Sequence, residues 1–251
     1  TYETGLKDVA KYDSNGRLCE RYKEDTDEDT WTTGEYSYTE KTVGSESQYV
    51  LSWSENAHSG RTNYTYDENF NTTKTQGPAV TSGSYVTGNQ PGQTDSRTVY
   101  DSMERVQYEL HKNSNGDWVG RHYVYSDADG KLEQAKDGVV FTVANEGLST
   151  WSASISDATG AVVTQYTYND FGELKDTAVL DASSNEKNVR RNYYDSKGTK
   201  TCEATLLNKT SSSSTTQVAT ATIYTYNNDN LLVIKSVVKE ADGDFLESDL
   251  N

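Results

Sequence analysis

The sequence is poor in the residues that most catalytic chemistry draws on. Three histidines stand in 251 residues, His58, His111 and His122, together with two cysteines, two prolines and one methionine. So few histidines leave little room for a Ser-His-Asp or Cys-His nucleophile system and none for a histidine-rich metal cluster. No Gly-x-Ser-x-Gly elbow and no P-loop is present. Basic residues are scarce too: 23 Lys and Arg against 39 Asp and Glu give a net charge of -16. Nucleic-acid binding draws most of its affinity from cations that neutralise phosphates, so that class is excluded. No run approaches the roughly 18 apolar residues of a membrane span. Residue 1 opens in polar sequence with no signal-like apolar region, so a secreted form would already have lost its signal, and the chain reads equally well as a piece of a longer protein.

Cys19 and Cys202 are too far apart for a CxxC metal site. They leave two readings open: a disulfide clamping the two ends of the chain, or two unrelated small residues in strands. Aliphatic residues are also few. Val, Leu, Ile and Phe make up 41 of 251 residues, which beside so large a net charge ordinarily signals disorder. What the chain has instead is 19 tyrosines and 4 tryptophans. Each such ring removes roughly 150–250 Å² from water while a tyrosine keeps its hydroxyl at a wet edge. The expected core is thin and tyrosine-rich.

The tyrosines recur in a pattern. An alternating aromatic stretch is followed by Asp, Asn or Gly and then by a short strand resuming in Leu or Val. Tyr12-Asp13-Ser14-Asn15-Gly16-Arg17-Leu18, Tyr123 and Tyr125 through Gly130 to Leu132, and Tyr166 and Tyr168 through Gly172 to Leu174 are the clearest copies. Degenerate copies begin at Tyr64 and Tyr66, at Tyr100, at Tyr193-Tyr194, and at Tyr224 and Tyr226. A Tyr-x-Tyr pair has period two, which places both rings on one face of a strand. Asp and Asn bond their own backbone, and Gly takes positive φ without steric cost, so each copy reads as a hairpin. Asn113–Gly116, Asp157–Gly160 and Ala241–Gly243 add turns of the same composition without the tyrosine pair.

No window of a dozen residues keeps a helical apolar stripe. The expected fold is therefore all-β with almost no helix: an array of antiparallel hairpins forming one long twisted sheet or a solenoid-like or shell-like structure, in a single elongated domain over 1–251. Long loops are expected at Glu24–Thr33, at Thr75–Asp95 and at Asn208–Thr216.

A Tyr-Asp dipeptide followed by x-x-Gly-Arg-Leu, as in Tyr12–Leu18, resembles the YD repeat of RHS and teneurin-type surface proteins and of bacterial toxin shells. The resemblance extends in weaker form to about Leu232. It implies a secreted or cell-surface protein whose hairpins wind into a long sheet, which in that family can spiral into a shell around a cargo polypeptide. The intervals between copies here are irregular. The family's self-cleaving region relies on an Asp-Pro context, whereas Pro78 and Pro91 follow Gly77 and Gln90.

Thirty-nine carboxylates assemble a glycosidase-like pair by chance in many ways, and none is singled out. Asp127-x-Asp129-Gly130 and Asp25-x-Asp27-x-Asp29 resemble pieces of calcium loops but lack the distal Glu, and turn chemistry accounts for them. His111 and His122 flank one turn, where surface strand positions are their default. Trp31, Trp53, Trp118 and Trp151 are the candidate binding residues, as flat platforms for sugars, against plain packing between strands. The functional expectation is a structural or adhesive module, not an enzyme, with no cofactor and no metal. Its partner would be a protein or cell-surface polymer, including its own copies in a fibre, since an open array presents unpaired strand edges. A carbohydrate-binding protein or polysaccharide-active enzyme, and a fragment of a toxin-encapsulating shell, are the alternatives.

Overall fold

The computed structural model describes residues 6–58, 60–77, 79–81, 84–86, 95–148, 150–207, 217–227 and 232–239. These are strands joined by tight turns, with no helix among the described residues. The turn at Ala241–Gly243, both prolines and the Asn208–Thr216 tract lie outside them.

The chain divides into two compact units, Thr1–Gly120 with Val140–Ser156, and Arg121–Val139 with Asp157–Asn251. The first contains β1 (Lys7–Tyr12), β2 (Leu18–Glu24), β3 (Thr30–Val43), β4 (Glu46–Asn56), β5 (Arg61–Tyr66), β6 (Thr72–Gln76), β7 (Ala79–Thr81), β8 (Ser84–Val86), β9 (Asp95–Tyr100) and β10 (Val106–Lys112). β1 to β6 pair antiparallel in chain order, β6 then pairs β9 and β9 pairs β10, while β7 and β8 form a hairpin of their own. The chain passes between the units in β11 (Trp118–Tyr125), β12 (Leu132–Ala144) and β13 (Ser152–Asp157). In the second unit β12 pairs β14 (Val162–Tyr168), and the ladder continues through β15 (Leu174–Leu180), β16 (Glu186–Tyr194), β17 (Lys200–Leu207), β18 (Gln217–Tyr226) and β19 (Leu232–Lys239).

One turn builds these hairpins. Its first residue is Asp or Asn, and nine copies begin at Asp13, Asp25, Asn56, Asp67, Asp101, Asn113, Asn169, Asp181 and Asp195. In each, the side-chain Oδ1 of the first residue accepts the amides of the third and fifth residues at 2.8–3.1 Å. The first residue's own amide donates to the fifth residue's carbonyl. In the eight copies whose fourth residue is described, that residue takes positive φ, as Gly16 does at 76°. That geometry explains the Asp-x-x-Gly signature: a short acceptor satisfies two amides at the apex, and a residue without Cβ takes the left-handed position.

Glu24–Thr33 is a correction to the sequence reading. β2 runs to Glu24 and β3 starts at Thr30, so only the tight turn Asp25–Asp29 separates them. Asp25 closes it in the standard way, and Glu28 occupies the left-handed position at 65°. With no glycine there, an acidic run reads as a loop.

Cores are thin. In the second unit Ala178, Val189, Cys202, Ala204, Leu206, Val218 and Ala221 are buried together, with Tyr193 and Ile223 packed beside them. Cys202, Ala204 and Leu206 alternate along β17, the period-two pattern of a strand with one covered face. The first unit buries Val50, Leu110, Trp118 and Phe141, with Tyr108 tilted against Phe141 at 5.3 Å between centroids.

Candidate functional site

Five tyrosines at the ends of their strands do more than cover the sheet. The hydroxyls of Tyr66, Tyr100, Tyr168, Tyr194 and Tyr226 donate to the backbone carbonyls of Leu51, Thr72, Leu132, Leu174 and Lys200 at 2.8–3.3 Å. In every case the acceptor belongs to the neighbouring strand of the preceding hairpin. Thr72, Leu174 and Lys200 are each the sixth residue counted from their turn Asp or Asn, where the strand resumes. The ring thus bridges one hairpin to the one before it, and burial pushes the hydroxyls of Tyr66, Tyr100, Tyr168 and Tyr194 above their ordinary range.

Register slips by one residue beside the turn, as between Lys11 and Tyr12, Thr65 and Tyr66, and Tyr193 and Tyr194. Such a bulge leaves a backbone carbonyl partly unpaired. In three copies the seventh residue of the frame supplies a donor to it: Thr73 Oγ1 to the Thr65 carbonyl, Thr201 Oγ1 to that of Tyr193, and Cys19 Sγ to that of Lys11 at 3.3 Å. Cys19 therefore stands where Thr73 and Thr201 stand in their own copies. The long β3–β4 hairpin keeps the frame in mid-strand, where Tyr38 pairs Leu51 across a slip and Ser52 Oγ donates to the Ser37 carbonyl.

Both cysteines are free thiols. Cys19 serves the bulge, and Cys202 is core, its thiol pushed up by burial.

Three of the four tryptophans are already in use. Arg61 lies 3.9 Å from the Trp53 ring. Trp118 is buried, and with Trp151 it encloses the guanidinium of Arg97 at 4.7 and 4.8 Å. Trp31 alone is exposed, at 50%. The structure does not bring the four together as a platform, because Trp118 has no free face and Trp53 is covered by a cation.

Arg97 is a charged centre that sequence reasoning missed. Its side chain is fully buried, Nη2 reaches Asp95 Oδ2 at 3.1 Å and the Glu146 carbonyl at 2.8 Å, and Nε donates to Asp95 Oδ1 at 3.3 Å. Nη1 has no oxygen partner, and the two ring faces surround the cation instead. Lys74 lies 3.9 Å from Asp95, and Lys112 pairs with Glu146, holding that carboxyl below its ordinary value. Each carboxylate here is paired with a cation, and the cluster ties Glu146 and Trp151 to Arg97 of β9. The arginine gave no signal in sequence, since only the fold places two indoles around it. A second buried pair joins Arg191 to Asp176 across β15 and β16, at 2.6 and 2.7 Å.

Of the remaining candidates, Asp25 Oδ1 is occupied by turn amides and Asp129 accepts from Lys131. Among the described residues no three His, Cys, Asp or Glu side chains are grouped to hold a metal. His111 is exposed; the imidazole of His122 is pushed down by burial and then by Lys136. No helix of the described residues is long and apolar enough to cross a membrane.

No protein-family model matches the chain, and no curated protein matches it. Among solved structures, the TcdB2-TccC3-Cdc42 structure is similar at 15% identity, with 92% of this chain aligned to 12% of that one at a TM-score of 0.47. The Photorhabdus luminescens Tc holotoxin pore is similar at 12% identity over 96% of this chain and 14% of that one, with a TM-score of 0.43. A porin-like protein from Bacteroides uniformis aligns over 92% of both chains at 12% identity and a TM-score of 0.25. The chain thus spans 12% of the length of the first of these.

Proposed function

We propose that this chain is a structural segment of a secreted or cell-surface YD-repeat protein, acting through contacts with a protein or surface polymer. The observation that carries the reading is the recurrence of the same devices, turn acceptor, left-handed residue, tyrosine strut and bulge donor, all four of which meet at the Asp67 and Asp195 turns. Many of the residues that stand out in the sequence are consumed in fastening a hairpin to itself or to its neighbour. Repetition of that kind makes an extensible wall whose surface is free to vary. In its finer form the segment belongs to a shell of the RHS type.

Surface labelling of intact source cells with an antibody to the purified chain, alongside assay of wall and culture-medium fractions, tests this. Protein in those fractions is expected, and protein confined to the cytosol overturns the reading. A glycan array addresses the carbohydrate alternative. Binding abolished by Trp31→Ala would replace contact with protein by contact with sugar.

A further inference from the structure

Seven of the chain's eight arginines hold an Asp or Glu oxygen within 3.2 Å. Arg21 is the exception. Its side chain meets no carboxylate and donates no hydrogen bond among the described residues, and it is exposed in the middle of β2. In a chain with 39 acidic residues against 23 basic ones, a guanidinium stays unpaired only where its surroundings keep carboxylates away.

The strand registers supply those surroundings. Arg21 stands opposite Ala10 of β1 and Gly34 of β3, neither of which carries a polar side chain. Two residues along β2, on the same face, the next row is Asp8 of β1, Lys23 of β2 and Trp31 of β3. Asp8 lies 3.9 Å from the Lys23 ammonium, and its side chain is 86% exposed. Trp31 is half exposed, and no cation among the described residues covers its ring as Arg61 covers that of Trp53. Between the two rows the register of β3 slips, which leaves Thr33 as an extra, exposed residue. Such bulges re-aim side chains. Asp8, Val9, Ala10, Arg21, Tyr22 and Thr33 line a groove of about 360 Å³. That volume falls in the range of ligand sites, roughly 300–1,000 Å³. All of these residues belong to the first unit.

We propose that this groove binds a hexuronic acid of a surface polysaccharide, with the Arg21 guanidinium on the sugar carboxylate and the Trp31 ring against the sugar's flat face. This rests on the reading of the chain as a surface segment in contact with a polymer, and it names the polymer. A guanidinium is a planar fork that meets a carboxylate with two parallel hydrogen bonds. An exposed indole one row away offers a flat apolar surface to the C–H face of a pyranose ring. Asp8 and Thr33 add the few polar groups that orient a ligand's hydroxyls. Asp8 also favours a sugar over an acidic peptide. Its carboxylate accepts hydrogen bonds from hydroxyls, whereas a run of peptide carboxylates sets like charges against it. With a net charge of -16 the chain as a whole repels polyanions, so affinity for one has to arise at a local site.

Calorimetric titration of the purified chain with oligosaccharides of polygalacturonate, alginate and hyaluronate, each also as its methyl ester, tests the assignment. Binding of at least one of the acids is expected, weakened by about tenfold or more in its ester, which keeps the rings and loses the charge. Arg21→Gln weakens binding by about tenfold or more, and Trp31→Ala by about fivefold. Ala10→Glu sets a carboxylate opposite Arg21 and weakens binding as much as Arg21→Gln does. Arg190→Gln, at an exposed arginine paired with Glu203 in the second unit, leaves binding unchanged. Circular dichroism of each variant confirms that it is folded. Binding of none of the three acids overturns the proposal, as does binding that Arg21→Gln leaves intact. Polyglutamate bound as tightly as the sugars assigns the groove to an acidic peptide and overturns it too. A chain that labels the cell surface and binds none of these sugars overturns this site and leaves the proposed function standing, whereas protein confined to the cytosol overturns that function whatever the titration reads.

Discussion

The hydroxyl of Tyr194 donates to the backbone carbonyl of Leu174 at 2.8 Å, across the boundary between two successive hairpins. Leu174 resumes its strand just after the Asn169 turn, so the bond ties the end of one turn to the start of the next. Local turn chemistry and long-range order meet at that atom.

Strain at the fourth turn position is expected to show in stability. A side chain in the left-handed region costs about 1–2 kcal/mol, and glycine avoids this at an entropic cost of about 0.5–1 kcal/mol. Gly16→Ala therefore destabilises by about 1 kcal/mol, whereas Glu104→Gly, at a position where φ is 62°, stabilises by up to about 1 kcal/mol. Urea unfolding of both variants checks the opposite signs.

Acid should attack the turns together. At Asp13, Asp181 and Asp195 the amide of the fifth turn residue holds the carboxyl below its ordinary value. At Asp101 burial pushes the carboxyl up, and the Arg105 side chain with the turn amides outweighs it. A carboxyl with a depressed folded pKa contributes stability above its unfolded value near 3.9, and that contribution is lost as pH falls through the lower folded value. The melting temperature should hold down to about pH 4–5 and fall below it. An Asp181→Asn/Asp195→Asn variant keeps both Oδ1 acceptors and should show a shallower acid limb in thermal melts from pH 2 to 7.

Much of this fold was legible because its turn is local. Asp13 and Gly16 announce a hairpin without reference to anything distant, and period-two tyrosines announce strands. The turns at Asn56 and Asp181 were invisible, since each has Ser in place of glycine at its fourth residue, and Ser184 takes the left-handed position all the same. The tyrosine struts were illegible for a different reason. Tyr168 and its acceptor Leu132 are 36 residues apart, and only register brings them together. Trp118 looked like a platform because burial of an aromatic depends on the neighbouring strands, and Arg97 gave no signal for the same reason.

Arg97 should be intolerant of replacement. Arg97→Leu leaves Asp95 buried without its partner and should cost about 3–5 kcal/mol. Adding Asp95→Asn should recover part of the loss, because the stranded charge is then gone. A double-mutant cycle by chemical denaturation measures the coupling.

Gly120 has no room for a methyl group. A Cβ there would stand 1.9 Å from the Glu109 carbonyl oxygen and 2.7 Å from the Leu110 Cα, both backbone atoms. Gly120→Ala should destabilise by about 3 kcal/mol or spread β10 and β11 apart, and amide exchange along β10 would report either.

The most direct test replaces all five strut tyrosines, Tyr66, Tyr100, Tyr168, Tyr194 and Tyr226, with phenylalanine and measures urea unfolding. The rings and their burial stay, and only the hydroxyl-to-carbonyl bonds go, each contributing about 1 kcal/mol. A loss of several kcal/mol with an unchanged denaturant slope is the expected result. Stability equal to that of the parent chain would contradict the claim that these tyrosines fasten each hairpin to the one before it.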